Sequence, residues 1–131
     1  MPQPTMAPTV LIVDDDPLLL DTLALLFEEE GYRVRTANTF ERGELEMQRS
    51  FPDVLLVDVR LGAFNGLQLS AMAEQAIPTI VMTGHDDPVL RRTAHRFGAE
   101  YMVKPVPAVE LFAAVRRQLD AGLMTRVSVR G

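Results

Sequence analysis

The chain has 131 residues, a length that suits one domain, and 47% of them are hydrophobic, which is enough for a core. Its 13 basic and 18 acidic residues give a net charge of −5, which argues against non-specific binding to nucleic acid. The absence of cysteine excludes disulfides, thiolate catalysis and cysteine-ligated zinc, and the two histidines, His85 and His95, lack the spacing of metal ligands.

The N-terminal segment contains three prolines and is predicted to form a flexible arm. It lacks the basic and apolar regions of a signal peptide, and no run in the chain approaches the roughly 18 apolar residues of a membrane helix. We therefore expect a cytoplasmic protein that makes no membrane contact. Its predicted organisation is an arm over residues 1–8, one domain over 9–121 and a short tail over 122–131.

Five short apolar segments predict β-strands. The first, third and fourth are almost continuously apolar, as expected for strands covered on both faces, whereas charged residues mark the second and fifth as edge strands. The predicted strands are Thr9–Val13, Tyr32–Ala37, Asp53–Val57, Pro78–Met82 and Glu100–Val103.

Segments of helical periodicity lie between and after these strands. Asp16 is a good N-cap for the first helix, Pro17 suits its first turn, and Gly31 ends it. The other predicted helices are Thr39–Arg49, Gly66–Gln75, Asp87–Phe97 and Ala108–Leu119, with Gly122 after the last. The alternation predicts an α/β fold with a doubly wound, five-stranded parallel sheet of five βα units, and the two edge-like strands fit the flavodoxin-like order 2-1-3-4-5.

In such a sheet, ligands bind beyond the carboxyl ends of the strands. The sequence places Asp14, Asp15, Asp58, Thr83 and Lys104 there. Each alone has an ordinary explanation, as a helix cap, a strand-end residue or a solvated side chain. Together, three carboxylates favour a hard cation such as Mg²⁺, and the set predicts a site that accepts a phosphoryl group on the nucleophile Asp58. Mg²⁺ and Lys104 would neutralise the phosphoryl oxygens.

Five motifs resemble those of the response-regulator receiver family of two-component signalling, which includes chemotaxis regulators. They are V13-D-D15, V57-D58, F64-N-G66, M82-T-G84 and Y101-M-V-K-P105, and the likeness extends over roughly residues 9–119. The resemblance implies that Asp58 is the phosphorylated aspartate. It also implies that Asp15 and Asp58 ligate Mg²⁺ directly, that Asp14 acts mainly through water, and that the backbone carbonyl of Arg60 is a further ligand.

The same resemblance assigns roles to residues around the phosphoryl group. Thr83 would hydrogen-bond a phosphoryl oxygen and move inward, Lys104 would pair with the phosphoryl group, and the bond before Pro105 would be cis. Tyr101 would be an aromatic switch that turns from exposed to buried. Arg60 and His85 would tune the hydrolysis of the acyl phosphate.

The partners implied are a sensor histidine kinase or a histidine phosphotransfer protein, and a target protein. Leu18 and Leu25 lie about 100° from the predicted core stripe of the first helix and are expected to dock the kinase, although extra core packing is the alternative. The face formed by predicted helix four, strand five and helix five is expected to bind the target or a second copy, unless it is merely solvated. Its arginines are Arg91, Arg92, Arg96, Arg116 and Arg117.

Other functions remain to be weighed against this one. A haloacid-dehalogenase-type phosphatase requires an aspartate two residues after the nucleophile, where this chain has Arg60. In a flavodoxin-like FMN carrier, the acidic run D14-D-D16 would repel the cofactor phosphate. A degenerate receiver that binds partners without phosphorylation is opposed by the intact set of site residues. We expect a phosphoacceptor signalling domain rather than an enzyme, with no nucleic-acid-binding part; whether it stands alone or is an excised domain stays open.

Overall fold

The structure is a computed structural model that describes residues 7–61, 64–65, 68–69 and 77–130. Its centre is a sheet of five parallel strands in the order β2-β1-β3-β4-β5, which confirms the predicted fold. The strands are β1 (Thr9–Val13), β2 (Arg33–Ala37), β3 (Val54–Asp58), β4 (Thr79–Thr83) and β5 (Glu100–Val103). These bounds agree with the predicted ones to within one residue. An additional antiparallel pair joins Arg60–Leu61 to Phe64–Asn65 after β3.

Burial follows strand position in the sheet. The central strands β3 and β4 are buried at every residue, whereas the edge strands β2 and β5 are mostly exposed or half-buried. Successive residues of a strand point to opposite faces, so β1 contributes Val10 and Ile12 to one apolar cluster and Leu11 and Val13 to the other. The sheet therefore carries a core on each face.

The described helices are α1 (Pro17–Glu29), α2 (Phe40–Arg49), α3 (Pro88–Arg96) and α4 (Ala108–Arg130). The N-caps of α1, α2 and α3 are Asp16, Thr39 and Asp87, and each side chain accepts hydrogen bonds from backbone N–H groups of the first turn. α3 and α4 correspond to the fourth and fifth predicted helices. The third, Gly66–Gln75, lies outside the described residues apart from Gln68 and Leu69, which are helical.

The predicted core stripe of α1 needs correction. The spacing in the sequence predicts a stripe of Leu19, Leu23, Leu26 and Phe27. Leu23 and Phe27 are buried as predicted, but the third buried residue is Leu20, and Leu19 and Leu26 are only partly buried. Phe27 is fully buried, and its ring packs edge-on against Phe112 of α4 at 5.0 Å between ring centroids.

The predicted end of the last helix at Leu119 is wrong, because α4 continues to Arg130. The sequence predicts that Gly122 follows the end of the helix. It lies within the helix instead, where it allows a close contact with Pro78. A Cβ atom at this position would lie 2.9 Å from Cγ of Pro78, so the missing side chain lets α4 pass the residue before β4. Within the described ranges, no helix is long and apolar enough to cross a membrane.

Candidate functional site

Strand register brings the predicted site residues together. Val13 of β1 lies opposite Val57 of β3, so Asp14 and Asp58 follow at adjacent strand ends. Thr83 of β4 lies opposite Val103 of β5, and Lys104 follows directly. These residues thus lie together at the carboxyl ends of four parallel strands, at the predicted edge of the sheet.

Asp14 is fully buried and has partners on both carboxylate oxygens. Oδ2 accepts a hydrogen bond from Lys104 Nζ at 2.7 Å, and Oδ1 accepts one from the backbone N–H of Asp16 at 3.0 Å. A buried carboxylate requires such compensation, since an unpaired charge inside a protein is costly. Asp14 therefore anchors Lys104 over the site.

Asp58 is 8% exposed and faces the same lysine. Its Oδ2 lies 3.4 Å from Lys104 Nζ, and its Oδ1 accepts a hydrogen bond from the backbone N–H of Arg60 at 3.1 Å. Burial raises the pKa of Asp58, and the charge of Asp14 adds to the rise, while the Arg60 N–H and Lys104 partly offset it. The carboxylate is thus held in a poorly hydrated position with one cation beside it.

Lys104 is the only lysine in the sequence and bridges two carboxylates. Burial alone would lower the pKa of Lys104, but its hydrogen bond to Asp14 and the charges of Asp14 and Asp58 raise it above the ordinary value. The ammonium group is therefore protonated at neutral pH. The Lys104–Pro105 peptide bond is cis, as the sequence analysis expected.

Asp15 completes an acidic group with Asp14 and Asp58. Each of the three carboxylates offers one oxygen, and these oxygens lie within 4.8 Å of one another. Asp15 is exposed, whereas its two neighbours are buried. Three oxygens at this separation, one of them facing solvent, suit a Mg²⁺ ion that keeps several of its waters.

Thr83 is buried at the end of β4, and its hydroxyl is engaged by His85. Oγ1 donates to the His85 carbonyl at 2.8 Å and accepts from the His85 N–H at 3.1 Å. The side chain of His85 is exposed at the rim, as is Arg60. Both hydrogen bonds of the Thr83 hydroxyl are thus made to the backbone of the loop that follows β4.

Tyr101 lies on β5, half-buried, and contacts the same loop. Its hydroxyl accepts a hydrogen bond from the Asp87 N–H at 2.8 Å and lies 3.4 Å from the carbonyls of His85 and Asp87. The Arg91 guanidinium stands over its ring at 4.6 Å from the ring centroid. His85 is therefore a shared partner of Thr83 and Tyr101.

Leu18 and Leu25 project from α1 and take no part in the core. They are 75% and 63% exposed, which excludes the alternative of extra core packing. Both residues lie on α1, which begins directly after the acidic run, with Leu18 in its first turn and Leu25 two turns further on.

Sequence reasoning missed two contacts of this region. It assigned Lys104 to the phosphoryl group without a resting partner, and the nearest carboxylate is Asp14, 90 positions away in the chain. It also gave no role to Asp86, whose carboxylate accepts a hydrogen bond from Arg91 at 3.1 Å. In the sequence, only the order of the strands bears on the contact between Lys104 and Asp14. The contact between Arg91 and Asp86 is indicated only by their opposite charges near the start of a helix.

The family model of the response regulator receiver domain matches residues 10–116. The alginate biosynthesis transcriptional regulatory protein AlgB of Pseudomonas syringae pv. tomato is 35% identical over 115 residues, which are 85% of this chain and 26% of that protein. The sensory transduction protein RegX3 of Mycolicibacterium smegmatis is 32% identical over 117 residues, which are 87% of this chain and 51% of that protein. The chain thus spans about a quarter to a half of the length of these curated relatives.

Among solved structures, the CheY-like response regulator receiver domain protein of Methanospirillum hungatei JF-1 superimposes with a TM-score of 0.84 at 28% sequence identity. The match covers 91% of this chain and 98% of that one. With the strand order, the acidic group and the single lysine in place, these matches show that the chain belongs to the response regulator receiver domain family, the signalling domains of two-component systems.

Proposed function

We propose that Asp58 accepts a phosphoryl group from a sensor histidine kinase or a histidine phosphotransfer protein, with Mg²⁺ bound beside it. The acyl phosphate would then alter the surface that the domain offers to a partner. The observation that supports this most strongly is the pair of carboxylates, Asp14 and Asp58, that share Lys104 at the carboxyl ends of adjacent strands.

In the transfer, a carboxylate oxygen of Asp58 forms a bond to phosphorus while the bond from phosphorus to the donor imidazole nitrogen breaks. The nitrogen keeps the bonding electron pair, so no external oxidant or reductant is needed. Asp58 supplies the attacking oxygen, and its side chain is almost entirely buried at the end of β3, so little water competes for that oxygen. The protonated Lys104, 3.4 Å from Asp58, is placed to pair with a phosphoryl oxygen.

The donor set fits Mg²⁺, because Asp14, Asp15 and Asp58 each offer a carboxylate oxygen and these oxygens lie within 4.8 Å of one another. By the resemblance to receivers, Asp15 and Asp58 would ligate the ion directly, Asp14 would act mainly through water, and the backbone carbonyl of Arg60 would be a further ligand. When bound, the cation neutralises charge on the phosphoryl oxygens.

Thr83 and Tyr101 would link the charge of the phosphoryl group on Asp58 to a change in the surface formed by β5 and α3. To donate to a phosphoryl oxygen, the Thr83 hydroxyl must give up its bond to the His85 carbonyl. That carbonyl then needs another donor, and the Tyr101 hydroxyl is 3.4 Å away. A shorter bond there would draw the tyrosine toward the loop, so phosphorylation would bias an equilibrium between two arrangements of β5 and α3.

The donor protein would dock on α1. Leu18 and Leu25 are large, apolar and exposed, and they follow the acidic run that contributes Asp14 and Asp15. A surface beside the site is required for docking, because in-line transfer needs the donor histidine at the mouth of the site.

Intact-mass spectrometry after incubation with acetyl phosphate, with and without Mg²⁺, tests the proposal. We expect a Mg²⁺-dependent, hydroxylamine-labile phosphate adduct on the wild type and none on Asp58→Asn. An adduct that persists on the variant would assign the phosphoryl group elsewhere. No adduct from either acetyl phosphate or a phosphorylated kinase, with no detectable Mg²⁺ binding, would instead indicate a degenerate receiver that acts through protein contacts alone.

A further inference from the structure

Tyr101 has contacts on both its ring and its hydroxyl, and the start of α3 contributes to each. The ring packs against the apolar cluster that contains Val81 and Ala94, and the Arg91 guanidinium stands over it at 4.6 Å from the ring centroid. The hydroxyl accepts a hydrogen bond from the Asp87 N–H at 2.8 Å. A half-buried ring on an edge strand is thus held at two points by one helix start.

Arg91 is itself fixed by neighbouring residues. Its guanidinium donates a hydrogen bond to the Asp86 carboxylate at 3.1 Å, and its backbone N–H donates to the Asp87 carbonyl at 2.9 Å. Arg91 belongs to the set of arginines that are expected to face a target or a second copy. Because its guanidinium is paired with a carboxylate and lies over a ring, its contacts in the structure are with its own chain.

We propose that Arg91 is a positioning residue that acts through Tyr101 and favours the arrangement of the domain seen in the structure. A cation within about 6 Å of a ring centroid attracts the ring, and at an exposed site this attraction changes an equilibrium about twofold to fivefold. The side chains of Arg91 and Asp86 are 53% and 56% exposed, so the contact falls in this range. When Tyr101 leaves its position, the contact with the guanidinium is lost, so Arg91 stabilises one of two arrangements and not the other.

Arg92, the next residue of α3, provides an internal comparison. It is exposed, and within the described ranges it forms neither an ion pair nor a contact with an aromatic ring. Consecutive residues of a helix point about 100° apart, so the two arginine side chains leave α3 in different directions. A general effect of positive charge on α3 would be the same for both arginines, whereas an effect of the ring contact belongs to Arg91 alone.

Arg91 would also oppose the phosphorylation of Asp58. A contact that stabilises only the unphosphorylated arrangement lowers the fraction of molecules in the other arrangement, and it lowers the reactivity of that arrangement's share by the same factor. Loss of Arg91 would therefore speed the reaction with a small phosphoryl donor. The effect on phosphorylation rests on the proposed function, and the effect on the position of Tyr101 does not.

¹⁹F NMR of the unphosphorylated full chain measures the position of Tyr101. The sequence contains two tyrosines, so labelling with fluorotyrosine in a Tyr32→Phe background gives one signal, from residue 101. Relaxation dispersion of this signal reports the population of a second arrangement that exchanges on the μs–ms timescale. We expect Arg91→Met to raise that population about twofold to fivefold, because the variant keeps a long apolar side chain and removes the cation.

The matched control is Arg92→Met, which removes the same charge one residue away and should leave the population unchanged. Arg91→Lys keeps the charge without the planar group that stacks on a ring, so it should give an intermediate population. Asp86→Asn should act only through Arg91, so its effect should disappear in the Arg91→Met background. Equal changes in Arg91→Met and Arg92→Met, a wild-type population in Arg91→Met, or the absence of a second arrangement from every variant would each overturn the proposal.

A second series adds acetyl phosphate and Mg²⁺ and follows adduct formation by intact mass. Arg91→Met should form the adduct about twofold to fivefold faster than the wild type, and Arg92→Met should match the wild type. Equal rates in all three proteins would refute the effect on phosphorylation. Absence of an adduct from all of them counts against the proposed function, while the ¹⁹F series still decides whether Arg91 positions Tyr101.

Discussion

Replacing Lys104 by methionine isolates the electrostatics of the site, since the stem is nearly preserved and only the charge is removed. In the wild type, the ammonium group is 2.7 Å from Asp14 and 3.4 Å from Asp58. Without it, two carboxylates at adjacent strand ends face each other with no cation between them. We expect Lys104→Met to lower the free energy of unfolding at neutral pH when divalent cations are removed by EDTA.

The size of the loss follows from the burial of the pair. Breaking a fully buried ion pair costs about 3–5 kcal/mol, whereas an exposed pair contributes about 0–1 kcal/mol. Asp14 is fully buried but the Lys104 side chain is 24% exposed, so water can reach one partner. We therefore expect a loss of about 2–3 kcal/mol.

Asp58→Asn should change stability in the opposite direction. Burial raises the pKa of Asp58 above its unfolded value, so the folded state binds the proton more tightly and the ionised carboxylate opposes folding. The advantage of the variant should grow as pH rises from about 4, the unfolded pKa, through the raised folded pKa, and then level off. Added Mg²⁺ should stabilise the folded wild type and not the variant. At a Mg²⁺ concentration a hundred times the dissociation constant, the free energy of unfolding of the wild type should rise by about 2.7 kcal/mol.

Urea unfolding followed by circular dichroism, in EDTA and then in Mg²⁺, measures these differences. Arg116→Met, which removes an exposed cation far from the site, is the control and should stay within about 0.5 kcal/mol of the wild type. The electrostatic account fails if Lys104→Met is as stable as the wild type in EDTA, or if Asp58→Asn is less stable than the wild type there.

Three further predictions address docking, lifetime and packing. Leu18→Lys with Leu25→Lys should slow phosphotransfer from the donor protein while the fold persists by circular dichroism; an unchanged transfer rate would remove the docking role. Arg60→Ala and His85→Ala should each change the lifetime of the acyl phosphate, measured by loss of the mass adduct, and lifetimes equal to wild type would reject the tuning role. Gly122→Ala should lower stability by about 1 kcal/mol in thermal unfolding, because its Cβ would overlap the proline ring before β4, and a more stable variant would contradict that contact.

Local chemistry made much of this fold predictable from sequence. Asp16 and Asp87 cap helices through bonds to residues two or three positions away, and such bonds depend on few neighbours. The glycine signals were less secure. Gly31 has a positive φ and follows α1 as predicted, and Gly98 has a positive φ after α3, but Gly122 looks the same in sequence and lies inside α4.

The sequence by itself determined which strands are central, which lie at the edges and which residues stand at the rim, because parallel strands covered on both faces need apolar runs, and the polar residues that end those runs must meet at one edge. Tertiary structure alone decided which groups pair there. Lys104 meets Asp14 across 90 positions, and Arg91 stacks on Tyr101, because their distances depend on how strands and helices pack together. Pairings between distant segments leave no periodic trace in a single chain, so neither the pairing of Lys104 with Asp14 nor the stacking of Arg91 on Tyr101 could be predicted before the fold was known.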